Sequence, residues 1–317
     1  MDTLENNCNN ALVDNSVNLH PEGFEGTYGC MFTFDEKEAK NHLRYKMKVK
    51  HTGRLEGYFN TYTLNRDKKT YINDSEPDSF IDKLAMEVSS VLYPLQIKTL
   101  QDGTFLSVVN FEEIKERWYK KKAEIQEKYK GAVVEKYIQL TSNSLYSQEV
   151  LNEKMAKDWF VNLYFSSLYK WYSDDCYVFE HIQYPIAGTT TAVNYNVTKK
   201  IGTEDMTQAV GLMIEIKGEI EEERCILDIE QGLDFSYNKL INPQEKELKG
   251  NVNITYLLNK QTGVIEGCEG VFSTEFTPPK KTTVQLFLLE KNEMSYGQDQ
   301  EQGKENKKNF WSTLFKR

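Results

Sequence analysis

The chain has 317 residues, a mass of 36.9 kDa and a net charge of −9 at pH 7. Hydrophobic residues make up 39% of it, with 19 Tyr and 16 Phe side chains, which is enough to bury a large core and excludes disorder of the bulk of the chain. Because the acidic charge repels phosphate backbones, we expect no nucleic-acid partner.

The N-terminal residues 1–22 are rich in Asn and Asp and show no hydrophobic period, which predicts a mobile leader. Its first residues are acidic and polar where a secretory signal is basic and then apolar. We therefore expect a cytoplasmic protein, and export through a specialised secretion apparatus stays open.

The first third of the sequence alternates between apolar and polar residues. From His42 to Lys50 this alternation predicts a half-buried antiparallel strand. Thr52-Gly53 is expected to turn it into a second strand over residues 58–64. Asp67-Lys68-Lys69 is expected to turn that one into a short third strand around Tyr71.

Helical periodicity follows. An apolar stripe from Phe80 to Leu92 predicts a helix that packs on the first sheet. Asp102-Gly103 predicts a hairpin between residues 95–100 and 104–109. Asn110 is expected to cap a helix that ends at Gly131. Two further helices are predicted, over residues 132–142 and 147–170.

After Asp174-Asp175 apolar and polar residues again alternate with a period of two. This alternation predicts five further antiparallel strands, around residues 193–197, 210–216, 252–258, 264–276 and 282–290. Strands, helices and strands again predict an α+β fold, with a curved antiparallel β-sheet or incomplete β-barrel that encloses a central helical block.

These elements predict a single α+β body over residues 23–291. It divides into a first β region with one helix, the helical block and a second β region, at residues 23–109, 110–172 and 173–291. The polar residues 292–309 are expected to form a flexible linker to a docking segment at residues 310–317.

The chain resembles two groups of bacterial proteins, and each resemblance implies an expectation about it. The outline of strands around a helical centre resembles the half-barrels of bacterial lipoprotein carriers, which implies a shape of that kind. Residues Pro94 to Trp118, a hairpin that runs into an Asn-headed helix, resemble uncharacterised bacterial proteins associated with contractile injection (type VI-like) gene clusters. That second resemblance implies a link to a bacterial injection or secretion apparatus.

Catalytic and metal-binding motifs are absent from the sequence. The five cysteines form no Cys-x-x-Cys pair and the four histidines have no metal-like spacing, so we expect reduced thiols, no metal and no cofactor. The residual candidates for acid–base chemistry share predicted strands whose side chains could converge at a barrel mouth: Glu180, His181, Asp228 and Glu230. We expect a non-enzymatic protein, with an enzyme using these residues as an alternative.

Two groups of side chains are candidate binding surfaces in the body. A basic stripe of Arg44, Lys46, Lys48 and Lys50 suits an acidic partner, or is a solvated face that prevents edge pairing. An aromatic cluster is either core or the wall of an apolar ligand cavity: Trp159, Phe160, Tyr164 and Phe165. The apolar stretch that contains it, residues 159–172, is interrupted by polar residues and is too short for a transmembrane segment.

The C-terminal segment 310–317 is the most distinctive feature. Phe310, Trp311, Leu314 and Phe315 fall on one face of a short helix that is too short to fold alone. It must dock on its own body, a partner or a lipid surface. We therefore predict a binding or adaptor protein that engages a protein partner through this segment; the alternative is a carrier of an apolar small molecule in the half-barrel.

Overall fold

The computed structural model describes residues 11–37, 39–186, 191–202 and 211–291. An N-terminal ribbon pairs β1 (Leu12–Val13) with β2 (Ser16–Val17). A first run of longer strands consists of β3 (Glu25–Glu36), β4 (Ala39–Leu55), β5 (Phe59–Ile72), β6 (Leu95–Thr99) and β7 (Phe105–Val108). A second run consists of β8 (Tyr177–Pro185), β9 (Ala192–Ile201), β10 (Leu212–Ile220), β11 (Gly250–Leu258), β12 (Ile265–Thr274) and β13 (Lys280–Lys291).

Helices occupy two connections. Between β5 and β6 lies α1 (Phe80–Ser89), followed by a 3-10 turn at Ser90–Leu92. Between β7 and β8 lie α2 (Phe111–Lys128), α3 (Ala132–Ser144), α4 (Gln148–Ala156) and α5 (Trp159–Tyr164). Two short helices, α6 (Ile226–Glu230) and α7 (Asn238–Ile241), lie in the connection between β10 and β11.

The longer strands form one antiparallel sheet of 11 strands in the order β7-β6-β5-β4-β3-β13-β12-β11-β10-β9-β8. Pairing of β3 with β13 joins the two runs into this sheet. The sheet is curved and not closed, and α5 packs on its inner face against β12. The predicted α+β fold with an incomplete barrel is confirmed.

Strand β4 shows how the alternation specifies its two faces. Met47 and Val49 are buried, whereas Lys46, Lys48 and Lys50 between them are exposed. Its partner β5 differs from the prediction, because it runs unbroken from Phe59 to Ile72.

The turn that we predicted at Asp67-Lys68-Lys69 is a bulge within β5. Tyr45 pairs with Thr70 and Met47 with Arg66, so the three residues 67–69 lie opposite the single residue Lys46 of β4. The Asp67 carboxylate accepts a hydrogen bond from the Lys69 N–H at 3.2 Å, which closes the bulge locally. The prediction of a third strand was therefore wrong, because turn-forming residues can bend one strand without ending it.

The hairpin predicted at Asp102-Gly103 is present between β6 and β7. Gly103 has a φ of +93°, and the Asp102 carboxylate accepts from the Thr104 N–H at 2.9 Å. A Cβ at position 103 would lie 2.8 Å from the carbonyl oxygen of Ser166. This glycine thus serves both the turn and the close approach of the segment that follows α5.

Helix α2 begins after Asn110 as predicted, but Asn110 does not cap it with its side chain. The side-chain oxygen of Asn110 accepts from the Gln96 N–H at 2.9 Å, and its amide donates to the Pro94 carbonyl at 2.9 Å. Asn110 therefore fixes the helix start to the hairpin.

The single helix predicted over residues 147–170 was wrong. Helix α4 ends at Ala156, and Asp158 caps the next helix, because its carboxylate accepts from the Val161 N–H at 3.0 Å. After Tyr164 the chain continues without regular structure, and we call residues 165–172 the strap.

The described part of the predicted leader packs against the body. Ala11 and Val17 are buried, and the Ala11 N–H donates to the Lys260 carbonyl at 2.6 Å. The Tyr172 N–H donates to the Asn15 carbonyl at 2.8 Å. Isolated apolar residues without period can thus each fill a separate site on the body, and mobility of the leader stays a prediction.

Candidate functional site

Helix α5 and the strap are held on the inner face of the sheet by tyrosine hydroxyls. The Tyr164 hydroxyl donates to that of Tyr28 at 3.0 Å, and Tyr28 donates to the Ile265 carbonyl at 2.6 Å. From β11, the Tyr256 hydroxyl donates to the Leu163 carbonyl at 2.9 Å. These three tyrosines satisfy polar groups that would otherwise be buried without a partner, so they fix the position of α5.

The aromatic cluster proposed as a cavity wall packs mostly on itself and on the sheet. The Phe160 ring stacks on Tyr164 at 5.2 Å between centroids, and Trp159 meets Phe272 of β12 at 4.8 Å. Phe165 lies 4.8 Å from Tyr164 and 5.2 Å from Tyr62. Such spacings are typical of a packed aromatic core.

A small cavity remains beside this core. Tyr164 and Phe165 line it together with further apolar residues, which include Leu19, Phe24, Tyr62, Tyr169 and Ile265. Its volume is about 20 Å³, which is enough for one water molecule and too small for an apolar ligand. Trp159 and Phe160 are not among its lining residues.

A larger cleft of about 290 Å³ opens at the same end of the sheet. It lies between the chain after β2, the β4–β5 hairpin and the β6–β7 turn, and its lining includes Asn18, His20, Arg54, Asn60 and Gln101. Leu19 and Tyr169 line both the cleft and the small cavity, so the two spaces adjoin. The Arg54 guanidinium pairs with the Glu22 carboxylate at 2.7 Å beside this opening.

A buried charge cluster holds the strap to the open edge of the sheet. Lys199 of β9 has no exposed side-chain surface, and its ammonium group lies 2.7 Å from the Glu180 carboxylate. It also donates to the Ser167 carbonyl and hydroxyl, each at 2.7 Å. Lys170 of the strap forms a second ion pair with Glu180. This edge of the half-barrel is thus fastened by charge-assisted hydrogen bonds.

Sequence reasoning missed Lys199, although a signal was present. The period of two places Lys199 on the same face of its strand as Tyr195 and Val197, which are buried. A lysine on an apolar face requires a partner with opposite charge. Glu180 on the neighbouring strand is that partner.

Burial lowers the pKa of Lys199 to about 8, against the opposing effect of Glu180. In the unfolded chain the pKa of this lysine is about 10.4. Between about pH 8 and pH 10 the unfolded state therefore binds more protons than the folded state, so the contribution of Lys199 to the free energy of unfolding should rise with pH. We expect the free energy of unfolding of the wild type, relative to Lys199→Met, to increase by about 1–2 kcal/mol between pH 7.5 and 9.5. Urea unfolding at three pH values measures this, and two parallel curves would contradict it.

The basic stripe lies on the outer face of β4 and is largely paired. Arg44 contacts Asp74 at 2.6 Å, and Lys48 and Lys50 contact Glu25 at 2.5 Å and 3.1 Å. These pairs reduce the positive field of the stripe. An acidic partner for Arg44, Lys46, Lys48 and Lys50 stays a prediction.

The four acid–base candidates do not form a common site. Glu180 faces inward to its two lysines, whereas the neighbouring His181 faces outward and is 75% exposed. Asp228 and Glu230 lie on α6 rather than on a predicted strand, because Cys225 begins a helix there. The Asp228 carboxylate is buried and accepts from the backbone N–H groups of Cys225, Tyr237 and Asn238.

Phe310, Trp311, Leu314 and Phe315 lie outside the described residues, so docking of the C-terminal segment on a partner stays a prediction.

Within the described ranges, no three or more His, Cys, Asp and Glu side chains are grouped as metal ligands. No helix in those ranges has both the length and the apolar character needed to cross a membrane.

Comparisons with known proteins give no family. No protein-family model and no curated protein matches the sequence. Among solved structures, lipovitellin aligns with a TM-score of 0.43 and 10% identity over 87% of this chain, which spans only 26% of that chain. An outer membrane lipoprotein-sorting protein domain from Vibrio parahaemolyticus aligns with a TM-score of 0.20 and 7% identity over 89% of this chain and 90% of that one. The link of residues 94–118 to contractile injection clusters stays a prediction.

Proposed function

We propose that the chain is a non-enzymatic binding protein that carries a small amphipathic molecule at the mouth of its half-barrel. The observation that carries this proposal is the cleft of about 290 Å³ that adjoins a smaller apolar cavity through Leu19 and Tyr169. Its volume is close to the lower limit for small-molecule sites in proteins.

The two spaces offer different chemistry to one ligand. The inner cavity is lined by rings and aliphatic side chains, so its lining suits an apolar group once the cavity widens beyond its volume of about 20 Å³. The outer cleft is lined by Asn18, Asn60, Gln101 and Arg54, which can orient a polar group. An amphipathic ligand therefore fits the site better than a purely apolar one.

The ligand site in this proposal is displaced from the one that the aromatic cluster suggested. The rings around α5 are packed, and the cavity beside them holds about one water molecule. An apolar chain enters only if Leu19 and its neighbours move away from Tyr169. The N-terminal segment between β2 and β3 is thus the element that must open.

The test fills the cleft with a bulky side chain. Gln101 is an exposed residue of the β6–β7 turn that lines the cleft, so Gln101→Trp should occupy it without disturbing the core. With N-phenyl-1-naphthylamine as the fluorescent probe, we expect saturable binding to the wild type and at least fivefold weaker binding to Gln101→Trp.

The matched control is Gln126→Trp, which adds the same ring at an exposed position of α2 away from the cleft. This control should bind the probe like the wild type. Absence of saturable binding to the wild type, or equal binding by Gln101→Trp, would refute the carrier proposal.

A further inference from the structure

The connection between β10 and β11 exposes an unusual set of apolar side chains. Phe235 is 59% exposed, Leu240 79% and Ile241 66%, and Tyr237 packs edge-on against Phe235 with their ring centroids 6.0 Å apart. We call these four residues the crest. Clustered apolar groups of this kind on a protein surface mark a place where something docks.

The crest is held rigidly by buried charges. Arg224 pairs with Glu222 at 2.7 Å and donates to the carbonyls of Leu233 and Ala192 at 3.1 Å and 2.7 Å. Asp228 accepts from the N–H groups of Tyr237 and Asn238 at 3.1 Å and 2.7 Å. Because these groups fix the backbone on both sides of Phe235, the apolar side chains are presented in a defined arrangement.

The surroundings of the crest are acidic. Residues 221–249 contain eight Asp and Glu residues against four Lys and Arg residues, a net charge of −4. Asp234 is exposed next to Phe235, and Glu247 is exposed and pairs with Lys239 at 2.6 Å. A matching occupant therefore combines large apolar side chains with positive charge.

The same chain contains a segment with that chemistry. Residues 304–317 carry Phe310, Trp311, Leu314 and Phe315 together with five Lys and Arg residues against one Glu, a net charge of +4. The apolar residues and the charge of this segment thus complement those of the crest in kind and in sign.

The chain is long enough for the segment to reach the crest. Lys291 ends β13 beside Gly26, whereas Gly250 at the base of the crest connection is level with Lys280 at the other end of that strand. The return distance is about 36 Å at 3.3 Å per strand residue. Residues 292–309 can span up to about 60 Å when extended.

We propose that residues 310–317 dock on the crest of the same molecule. The crest supplies the fixed apolar surface, and its acidic surroundings select the basic segment. A tether of this length keeps the segment at a local concentration on the order of millimolar, which favours its own crest over that of another copy.

Hydrogen exchange on the full chain tests this. We expect the amides of residues 310–315 to exchange at least tenfold more slowly in the wild type than in Leu240→Ser/Ile241→Ser. Both substituted side chains are largely exposed, so the variant should fold normally. Leu140→Ser, at an exposed position of α3, is the matched control and should leave the exchange unchanged.

Varying the salt concentration tests the contribution of charge, and varying the protein concentration tests whether docking is intramolecular. Raising NaCl from 0.05 to 0.5 M should accelerate exchange of residues 310–315, because it screens the charge attraction. Protection should be equal at 1 and 100 μM protein. Three results would each overturn intramolecular docking. The amides of residues 310–315 would exchange without protection in the wild type, or they would exchange at the same rate in the wild type and in Leu240→Ser/Ile241→Ser. The third is protection of these amides only under conditions in which the protein has the mass of a dimer.

Discussion

Glu180→Gln should destabilise the protein by about 3 kcal/mol, whereas Lys199→Met should change its stability by less than about 1 kcal/mol. Glu180 is shared by two lysines, and Lys199 has no exposed surface. Removing the carboxylate charge leaves the buried Lys199 facing Lys170 without compensation. Removing the Lys199 ammonium group leaves Glu180 paired with Lys170. The unbranched methionine side chain of Lys199→Met fills the space of the lysine side chain.

Urea unfolding at pH 7.5 measures both variants, and the double variant separates the causes. If the cost of Glu180→Gln comes from the uncompensated Lys199 charge, Glu180→Gln/Lys199→Met should be more stable than Glu180→Gln alone. Additive effects, or a larger loss for Lys199→Met, would show that the pair itself stabilises the fold.

The features that could be predicted from the sequence are those with a local cause. The alternation around Met47 and Val49 predicts a strand because one face is buried, and Asp102-Gly103 predicts a hairpin because the turn needs a positive φ. Both were confirmed. Strong local signals gave the fold class because few architectures accommodate strands, helices and strands in that order.

The features that could not be predicted depend on residues distant in sequence. Strand β3 was missed, and its pairing with β13 brings together residues more than 240 positions apart. At the pair of Gly29 with Phe287, a Cβ on the glycine would lie 2.6 Å from the ring. In a single sequence nothing indicates that this glycine makes room for that ring.

The candidate sites show the same division. The aromatic cluster was recognisable, but whether its rings line a cavity or pack together depends on Phe272 and Tyr62 from other strands. The cleft is formed by three connections that are far apart in the sequence. Asp228 was assigned to a strand because Leu227 and Ile229 alternate with Asp228 and Glu230, which fits an extended pattern as well as a helical one.

Asp228→Ala should unfold the crest connection locally and reduce the free energy of unfolding by at least about 3 kcal/mol. Burial opposes ionisation of Asp228, but the N–H donors around the carboxylate, with Asn238 foremost, hold its pKa well below its usual range. Alanine leaves the N–H groups of Cys225, Tyr237 and Asn238 without this acceptor, and each unsatisfied buried donor costs about 1–3 kcal/mol.

Two further variants distinguish loss of the acceptor from loss of charge. Asp228→Asn keeps one oxygen for Tyr237 and Asn238 but turns an amide toward the Cys225 N–H, so its cost should be intermediate. Glu230→Ala removes an exposed carboxylate from the same helix and should change stability by less than about 0.5 kcal/mol.

Hydrogen exchange should accelerate over residues 226–241 in Asp228→Ala while β10 and β11 stay protected. Since Asp228 fixes the backbone beneath Tyr237, unchanged exchange there would mean that the crest owes its order to its own apolar contacts.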